Sequence, residues 1–272
     1  MQIVCVHSYK GGAGKTTIAT NLAVQLAQTH GKKVLLVESD FKMPSFYEMF
    51  KLHPQNYYND YYNDKSISLI DCATPNTTVG NLDVVMANPE FDPTEKVHSF
   101  DRRWHNVHLR RLQQSLVDFR DEGRYHYVLF DTPPGFSFVA INNIALAHHG
   151  IVVVRPNSHA IEGTRRMVEK FYLKTKSPDK IRLYLLFNQI PRVPMGAELD
   201  QWTKEFDALH LTPSGRIPCS CSGTYAMAKG QHIFGTDHEL VKFLQPQLAL
   251  LLGQKSKLVD PTAQFTDVEE LL

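Results

Sequence analysis

The sequence contains no apolar run that approaches the roughly 20 residues needed to cross a bilayer as a helix. It also has few cysteines, at positions 5, 72, 219 and 221, and no secretory segment precedes the first strand-like run, QIVCVH. We therefore expect a cytoplasmic protein with reduced thiols. A membrane-spanning protein and a disulfide-stabilised secreted domain are both disfavoured.

An excess of charge of one sign is also missing. The 272 residues include 29 Lys and Arg against 28 Asp and Glu, a formal net charge of +1. This balance excludes a molecule that binds nucleic acid through its overall charge, so any basic binding surface must be local. The hydrophobic fraction of 43% is that of an ordinary globular protein, and a chain of this length can form one large domain.

What the sequence does contain is a regular alternation of short apolar runs and amphipathic stretches. Continuous apolar runs such as KKVLLVES, YHYVLFD and GIVVVRP predict buried strands, and stretches such as KTTIATNLAVQLAQTH predict helices. This alternation predicts an α/β fold with a doubly wound, mostly parallel sheet flanked by helices. We expect a single domain over residues 1–254 and a loosely ordered C-terminal tail over 255–272.

One segment interrupts this alternation. Residues 51–66, which contain NYYNDYYND, form a polar and aromatic excursion. We expect a polar loop whose tyrosines pack over the sheet edge; a partner-binding or phosphorylated segment is the alternative.

The stretch HSYKGGAGKTT, residues 7–17, nearly fits the phosphate-loop pattern G-x-x-x-x-G-K-[ST]. It lies between a predicted strand and a predicted helix, where backbone N–H groups and the helix dipole attract phosphate. Lys15 would reach the β- and γ-phosphates and the Thr16 hydroxyl would bind Mg²⁺. Tyr9 replaces the first glycine, and Lys10 is an additional lysine. The loop residues predicted to hold the nucleotide are Gly11, Gly12, Ala13, Gly14, Lys15, Thr16 and Thr17.

The motif KGGAGKTT resembles the deviant phosphate loop K-G-G-x-G-K-[ST] of the ParA/MinD family of P-loop ATPases, within the SIMIBI class. The resemblance implies ATP, ADP and Mg²⁺ as ligands, a homodimer in the ATP state and an activating partner protein. It also implies that Lys10 reaches across the dimer interface to the ATP of the other subunit. A lysine supplied in trans would neutralise charge on the transferring phosphate and couple hydrolysis to dimerisation.

Two carboxylates extend the resemblance beyond the loop. Asp40, in KKVLLVESDFKMP, matches the second aspartate of a family D-x-D pattern, which implies that it orients the attacking water and joins Lys10 and Lys15 as a catalytic residue. Glu38 replaces the first aspartate and is one methylene longer, so a metal contact at that position does not carry over. Asp131, at the end of YVLFD, matches the Walker B position, where a carboxylate holds Mg²⁺ through water. The turn PPG after it would sense the γ-phosphate.

Two later segments resemble those that hold adenine in the family. LLFNQIP, residues 185–191, implies that Asn188 binds the edge of the base, and GRIPCSCSGTYAMAKG, 215–230, implies that the loop after Pro218 covers it. Gln189 stands where the family often has an arginine, which removes a possible stacking contact. The match extends over most of residues 1–250 and is weakest at 41–80.

The resemblance leaves several functions open, because the family uses one ATPase fold for different tasks. The first is a switch in which ATP assembles a dimer on a surface, a partner triggers slow hydrolysis, and a cargo such as DNA, a plasmid or a protein complex is positioned or segregated. The second is a chaperone or iron–sulfur carrier ATPase of the Mrp-like branch. The third is a ligase-type enzyme such as dethiobiotin synthetase. We expect the first.

Cys219 and Cys221 bear on the carrier alternative. A cluster carrier would be expected to use C-x-x-C, with two thiolates from each chain of a dimer. The spacing is instead C-x-C, and it falls in the predicted adenine loop. We therefore expect no metal at these cysteines.

The sequence says less about the surface that such a dimer would bind, a membrane or DNA. The acidic tail AQFTDVEELL lacks the basic and apolar faces of an amphipathic anchor, so membrane binding is not expected. Basic clusters in DRRWHNVHLRR and GTRRMVEKF can contact DNA phosphates non-specifically; a solvated helix face paired with local acids is an equal alternative. The candidate DNA contacts are Arg102, Arg103, Arg110, Arg111, Arg165 and Arg166.

Overall fold

The computed structural model describes residues 1–76, 78–90, 102–175, 180–220, 223 and 239–255, with the backbone alone at 102–104, 175 and 239. It confirms the predicted fold, an eight-stranded sheet flanked by helices. The strands are β1 (Gln2–His7), β2 (Val34–Glu38), β3 (Ala73–Pro75), β4 (Leu82–Val85), β5 (Tyr127–Asp131), β6 (His149–Val154), β7 (Arg182–Ile190) and β8 (Leu211–Pro218).

The sheet order places the phosphate loop at the centre of the molecule. The strands follow the order β3-β4-β2-β5-β1-β6-β7-β8, and every neighbouring pair is parallel except β3 with β4. The loop leaves β1, whose two neighbours, β5 and β6, come much later in the chain. Ligands bind at the carboxyl ends of strands at such a switch in strand order.

Helices cover both faces of this sheet. They are α1 (Lys15–Val24), α2 (Phe46–Phe50), α3 (Tyr58–Asn63), α4 (Arg102–Asp121), α5 (Phe138–Leu146), α6 (Ser158–Met167), α7 (Leu173–Thr175), α8 (Gly196–Asp207) and α9 (Glu239–Leu251). Because strand side chains alternate, Ile3 and Cys5 of β1 join one buried core and Val4 and Val6 join the other. Both faces of the sheet are thus buried, and the polar side chains of the predicted site lie at the carboxyl ends of its strands.

The tyrosine-rich segment is the main correction to the predicted fold. It forms the short helix α3, not a loop, and Tyr58, Tyr61 and Tyr62 are all buried in the core. Their spacing places the three rings on one helix face, where they pack against one another with ring centroids 5.1–5.9 Å apart. The tyrosines were expected to pack over the sheet edge from a loop; they instead lie in the buried core on one face of a helix.

Several elements have irregular features. Helices α1 and α6 each continue into a π-helical turn, Gln25–Thr29 and Val168–Tyr172. Pro246 lies inside α9. The predicted C-terminal tail lies outside the described residues beyond position 255. In the described part of the chain, no helix combines the length and the apolarity required to traverse a bilayer.

Candidate functional site

The phosphate loop connects β1 to α1 through two glycines in the left-handed region. Gly12 has a φ of 73° and Gly14 a φ of 89°, conformations that residues with a side chain rarely adopt. A Cβ at Gly14 would also collide with the side-chain amide of Asn188. Lys15 is the first residue of α1, so the loop directs the amino end of this helix toward the carboxyl edge of the sheet.

Lys15, Thr16 and Asp131, three of the site residues predicted from the sequence, lie close together at the carboxyl edge of the sheet. Residues Val6 and Asp131 are register partners on the adjacent strands β1 and β5, which brings the strand-end carboxylate beside the loop. The Thr16 hydroxyl donates to Asp131 Oδ2 at 2.7 Å. Lys15 is only 7% exposed; burial lowers its pKa, whereas the charges of Asp131 and Asp40 raise it. A buried cation among carboxylates is suited to receive phosphate oxygens.

Asp131 meets the requirements of a magnesium ligand. Its carboxyl is 2% exposed, and burial raises its pKa to about 7, although the Thr16 hydrogen bond and the charge of Lys15 lower it. The second oxygen, Oδ1, is buried and has no hydrogen-bond partner among the described residues. An orphaned carboxylate oxygen next to a hydroxyl is the oxygen donor set that Mg²⁺ prefers, so the residues fit the ion.

Asp40 lies in the loop between β2 and α2, at the carboxyl edge of the sheet where the phosphate loop also lies. Its Oδ1 accepts the backbone N–H groups of Lys42 and Met43, each at 3.3 Å. The charge of Asp40 acts on both Lys15 and Asp131, which places the carboxylate within the electrostatic reach of the phosphate loop. Its role in orienting water remains a prediction.

Lys10 differs from Lys15 in being exposed. The Ser8 hydroxyl donates to the Lys10 carbonyl at 2.7 Å, which fixes the backbone at this position while the side chain remains in solvent. Gly11 and Gly12 beside it are also exposed. An exposed lysine on an open loop is free to contact a second molecule, as its proposed role in trans requires.

Asn188, which was predicted to bind adenine, and the neighbouring Gln189 contact the phosphate loop itself. Asn188 Nδ2 donates to the Ala13 carbonyl at 2.8 Å, and Gln189 Nε2 donates to the Gly12 carbonyl at 3.1 Å. Gln189 adopts a φ of 57° at the end of β7, which turns its side chain toward the loop. Pro218 ends β8 as the register partner of Ile190. The sequence did not predict these loop contacts, because no periodic pattern signals a pairing 175 residues apart.

The residue that replaces the first loop glycine has a packing role. The Tyr9 ring occupies the space that a Cβ at Gly163 of α6 would fill, so the small residue in α6 makes room for the ring.

His7, two positions before Tyr9, is a buried residue of the site that was not predicted from the sequence. Its Nε2 contacts the Gly135 carbonyl at 2.9 Å and its Nδ1 contacts the Tyr172 hydroxyl at 2.8 Å. Burial lowers the pKa of His7 to about 3, so it links β1 to the PPG turn as a neutral imidazole.

The arginines predicted to contact DNA differ in their surroundings. Arg111 donates to the carbonyls of Tyr61 and Ile67 at 2.7 and 2.9 Å, so it fastens α4 to α3 instead of facing solvent freely. Arg165 and Arg166 both pair with Glu162, at 2.7 Å each. Arg110 is exposed, and the side chains of positions 102 and 103 lie outside the described residues.

Of Cys219 and Cys221, Cys219 lies within the described residues. Cys219 is half-buried, and its carbonyl accepts the Arg192 Nε–H at 3.0 Å. Cys221 lies outside the described residues, as does most of the segment predicted to cover adenine. Within the described ranges, no group of three or more His, Cys, Asp or Glu side chains is arranged to hold a metal ion.

Comparison with curated proteins places this site in a family. The family model described as an AAA domain, AAA_31, matches residues 1–182. A putative replication protein A of Sinorhizobium fredii is 28% identical over 166 residues, 57% of this chain and 40% of that protein. A ParA family protein of Chlamydia trachomatis is 27% identical over 61% of this chain and 64% of its own length. The matches therefore span less than two thirds of these relatives.

Other similarities extend over nearly the whole chain. The septum site-determining protein MinD of Helicobacter pylori is 25% identical over 263 residues, 95% of this chain and 93% of that protein. Among solved structures, a MinC:MinD cell division complex of Aquifex aeolicus has a TM-score of 0.73 at 18% identity, covering 96% and 99% of the two chains. A MinD of Pyrococcus horikoshii complexed with Mg-ADP has a TM-score of 0.70 at 19% identity, covering 92% and 95%. The chain belongs to the AAA_31 family of AAA domains and, with its K-G-G-x-G-K loop, to the ParA/MinD group of deviant Walker A P-loop proteins.

Proposed function

We propose that this protein is an ATP-dependent dimerising switch that hydrolyses ATP slowly and positions or segregates a cargo. The observation that carries the proposal is the cluster of Lys15, Thr16 and Asp131 at the carboxyl edge of the sheet. It combines a buried lysine, a hydroxyl at 2.7 Å from a carboxylate, and a second buried carboxylate oxygen that no hydrogen bond reaches from the described part of the chain. These are the groups needed to hold a phosphate chain and its magnesium ion.

Each residue of the site then has a task in phosphoryl transfer. The loop N–H groups and Lys15 bind and orient the β- and γ-phosphates, and Thr16 and Asp131 would hold Mg²⁺. The bound ion would offset the negative charge that develops on the transferring phosphate. Asp40 orients the attacking water from the loop after β2. Asn188 and Pro218 contribute to the adenine side of the site.

Dimerisation and an activating partner belong to the same proposal. Lys10 is exposed on the phosphate loop and would reach the phosphates of the second subunit. The similarity to a MinD of Helicobacter pylori and to ParA family proteins supports a positioning role over a metal-cluster carrier. We propose that a partner protein accelerates hydrolysis in the dimer and thereby releases it.

Binding and turnover of ATP test this function. Wild-type protein should bind ADP and hydrolyse ATP only with Mg²⁺, whereas Lys15→Ala should weaken nucleotide binding roughly 100-fold, since a buried charge-assisted contact is lost. Calorimetry and phosphate release measure the two quantities. Lys51→Ala serves as the matched control, because Lys51 is an exposed lysine at the end of α2. Equal binding by wild type and Lys15→Ala would contradict the proposal.

We further propose non-specific DNA as the surface to which the dimer binds. Arg165 and Arg166 are 43% and 64% exposed, and their pairs with Glu162 are surface ion pairs, which contribute little and exchange readily for phosphate. Random-sequence DNA should bind in the presence of ATP and dissociate as salt rises. An Arg110→Ala/Arg166→Ala variant should bind more weakly with a smaller salt slope. DNA binding that depends neither on ATP nor on salt concentration would contradict DNA as the surface to which the dimer binds.

A further inference from the structure

Glu38 is the residue at which this chain departs from the family's D-x-D pattern, and the structure shows what its longer side chain does. It ends β2 and is 1% exposed. Its Oε1 accepts the Phe46 N–H at 2.9 Å and also the N–H of Ser45, at the start of α2. Its Oε2 accepts the Ala87 N–H at 3.0 Å, just after β4. One carboxylate therefore joins three separate segments.

These contacts close the loop that carries Asp40. Residues 39–45 leave β2 and return to α2, and Glu38 binds the backbone at the returning end. The other end is held by the Ser39 N–H, which donates to the Asp131 carbonyl at 2.9 Å. Asp40 lies directly after this anchored residue. Its position relative to the phosphate loop thus depends on the two attachments.

The length of the side chain is what permits this arrangement. An aspartate would be one methylene shorter and could not reach α2 and the end of β4 together from the same backbone. Burial raises the pKa of Glu38 to about 8, while the Ser45, Phe46 and Ala87 N–H groups lower it and the charge of Asp131 raises it. A buried carboxyl is tolerated only when its oxygens are hydrogen-bonded, and both oxygens of Glu38 are.

We propose that Glu38 is a positioning residue that clamps the base of the 39–45 loop and so sets the placement of Asp40 for ATP hydrolysis. The catalytic part of this inference rests on the proposed function, because Asp40 must act in hydrolysis for its placement to matter. The clamp itself does not depend on nucleotide. It can therefore be tested separately.

Two substitutions separate the acceptor oxygens of Glu38 from its reach. Glu38→Gln keeps the length but presents an NH₂ group to at least one N–H donor, and Glu38→Asp keeps both acceptor oxygens but shortens the side chain. Hydrogen–deuterium exchange without nucleotide measures the clamp. The Ser45, Phe46 and Ala87 amides should exchange at least about tenfold faster in both variants, while the β1 amides stay unchanged. Glu48→Gln in α2, an exposed glutamate, is the control and should exchange like wild type.

The second readout is the division between binding and turnover. Both Glu38 variants should bind ADP within about twofold of wild type and hydrolyse ATP about tenfold more slowly, since only the placement of Asp40 is disturbed. Wild-type amide exchange in both variants would overturn the clamp. Faster exchange with unchanged turnover would overturn the positioning role. If wild-type protein fails to hydrolyse ATP, the proposed function fails, whereas the exchange result still decides whether Glu38 clamps the loop.

Discussion

At the scale of single residues, the site is organised by how deeply each charge is buried. Asp131 is almost fully buried, with one oxygen bonded to Thr16 and the other unpartnered within the described ranges. Lys10 is exposed, and Lys15, five positions later, is 7% exposed. The two lysines of one loop therefore suit different tasks: Lys15 for the subunit's own nucleotide and Lys10 for that of a partner.

The raised pKa of Asp131 predicts a pH-dependent affinity for magnesium. Because its pKa is about 7 in the free protein, the carboxyl is protonated below that pH and must lose its proton to hold Mg²⁺. The magnesium-dependent gain in ADP affinity should fall about tenfold per pH unit below pH 7 and level off above it.

Calorimetry in buffers of different ionisation enthalpy measures this directly. Below pH 7, binding of Mg-ADP should release close to one proton from Asp131, and binding of ADP without Mg²⁺ should release fewer. Proton release that is equal with and without the ion would argue against Asp131 as the magnesium ligand.

Lys10 gives a second prediction at the residue scale. Lys10→Ala should leave ADP affinity within about twofold of wild type, because an exposed side chain contributes little within one subunit. ATP turnover should fall at least about tenfold, because transition-state charge in the dimer loses its neutralising partner. Single-subunit binding and steady-state turnover measured side by side test this. Wild-type turnover would exclude the role in trans.

At the scale of elements, α3 shows that a short helix can carry much of the packing. Tyr58 and Tyr61 are 0% and 1% exposed and stack with ring centroids 5.7 Å apart. The Arg111 guanidinium lies 4.4 Å from the centre of the Tyr61 ring and donates to its carbonyl. The basic residue predicted for DNA thus stabilises the contact between α3 and α4.

Removal of one of these rings should lower stability. Tyr58→Ala should reduce the free energy of unfolding by roughly 3–5 kcal/mol, because it leaves a large cavity in the core. Tyr47→Ala is the control, since that ring is only partly buried, and it should cost less than about 1 kcal/mol. Urea unfolding of the two variants provides the comparison, and equal losses would contradict the assigned role of α3.

Helices and strands could be predicted from the sequence where their signal is local. The buried strands could be predicted because their apolar runs are local, and Thr16 and Asp131 could be selected because Thr16 lies in the phosphate-loop motif after β1 and Asp131 ends β5, the neighbouring strand. The α3 helix was missed because one turn and a half of alternating Tyr, Asn and Asp gives too short a period to distinguish from a loop.

At the scale of the whole molecule, what could not be predicted are the long-range polar contacts. Asn188 bonds to the phosphate loop across 175 positions and Glu38 bonds to Ala87 across 49. Such pairs depend on which strands become neighbours and on how far each side chain reaches. No local pattern reports either quantity, so the family pattern marked Glu38 as a departure without revealing its partners.

In the proposed function, ATP joins two copies of this chain. Asp40→Ala should bind ATP but fail to orient water, so the ATP state cannot decay and the dimer should persist. Sedimentation or light scattering with Mg-ATP and with Mg-ADP measures the mass of the variant. We expect a dimer with ATP and a monomer with ADP; a variant that binds ATP and remains monomeric would contradict ATP-dependent dimerisation.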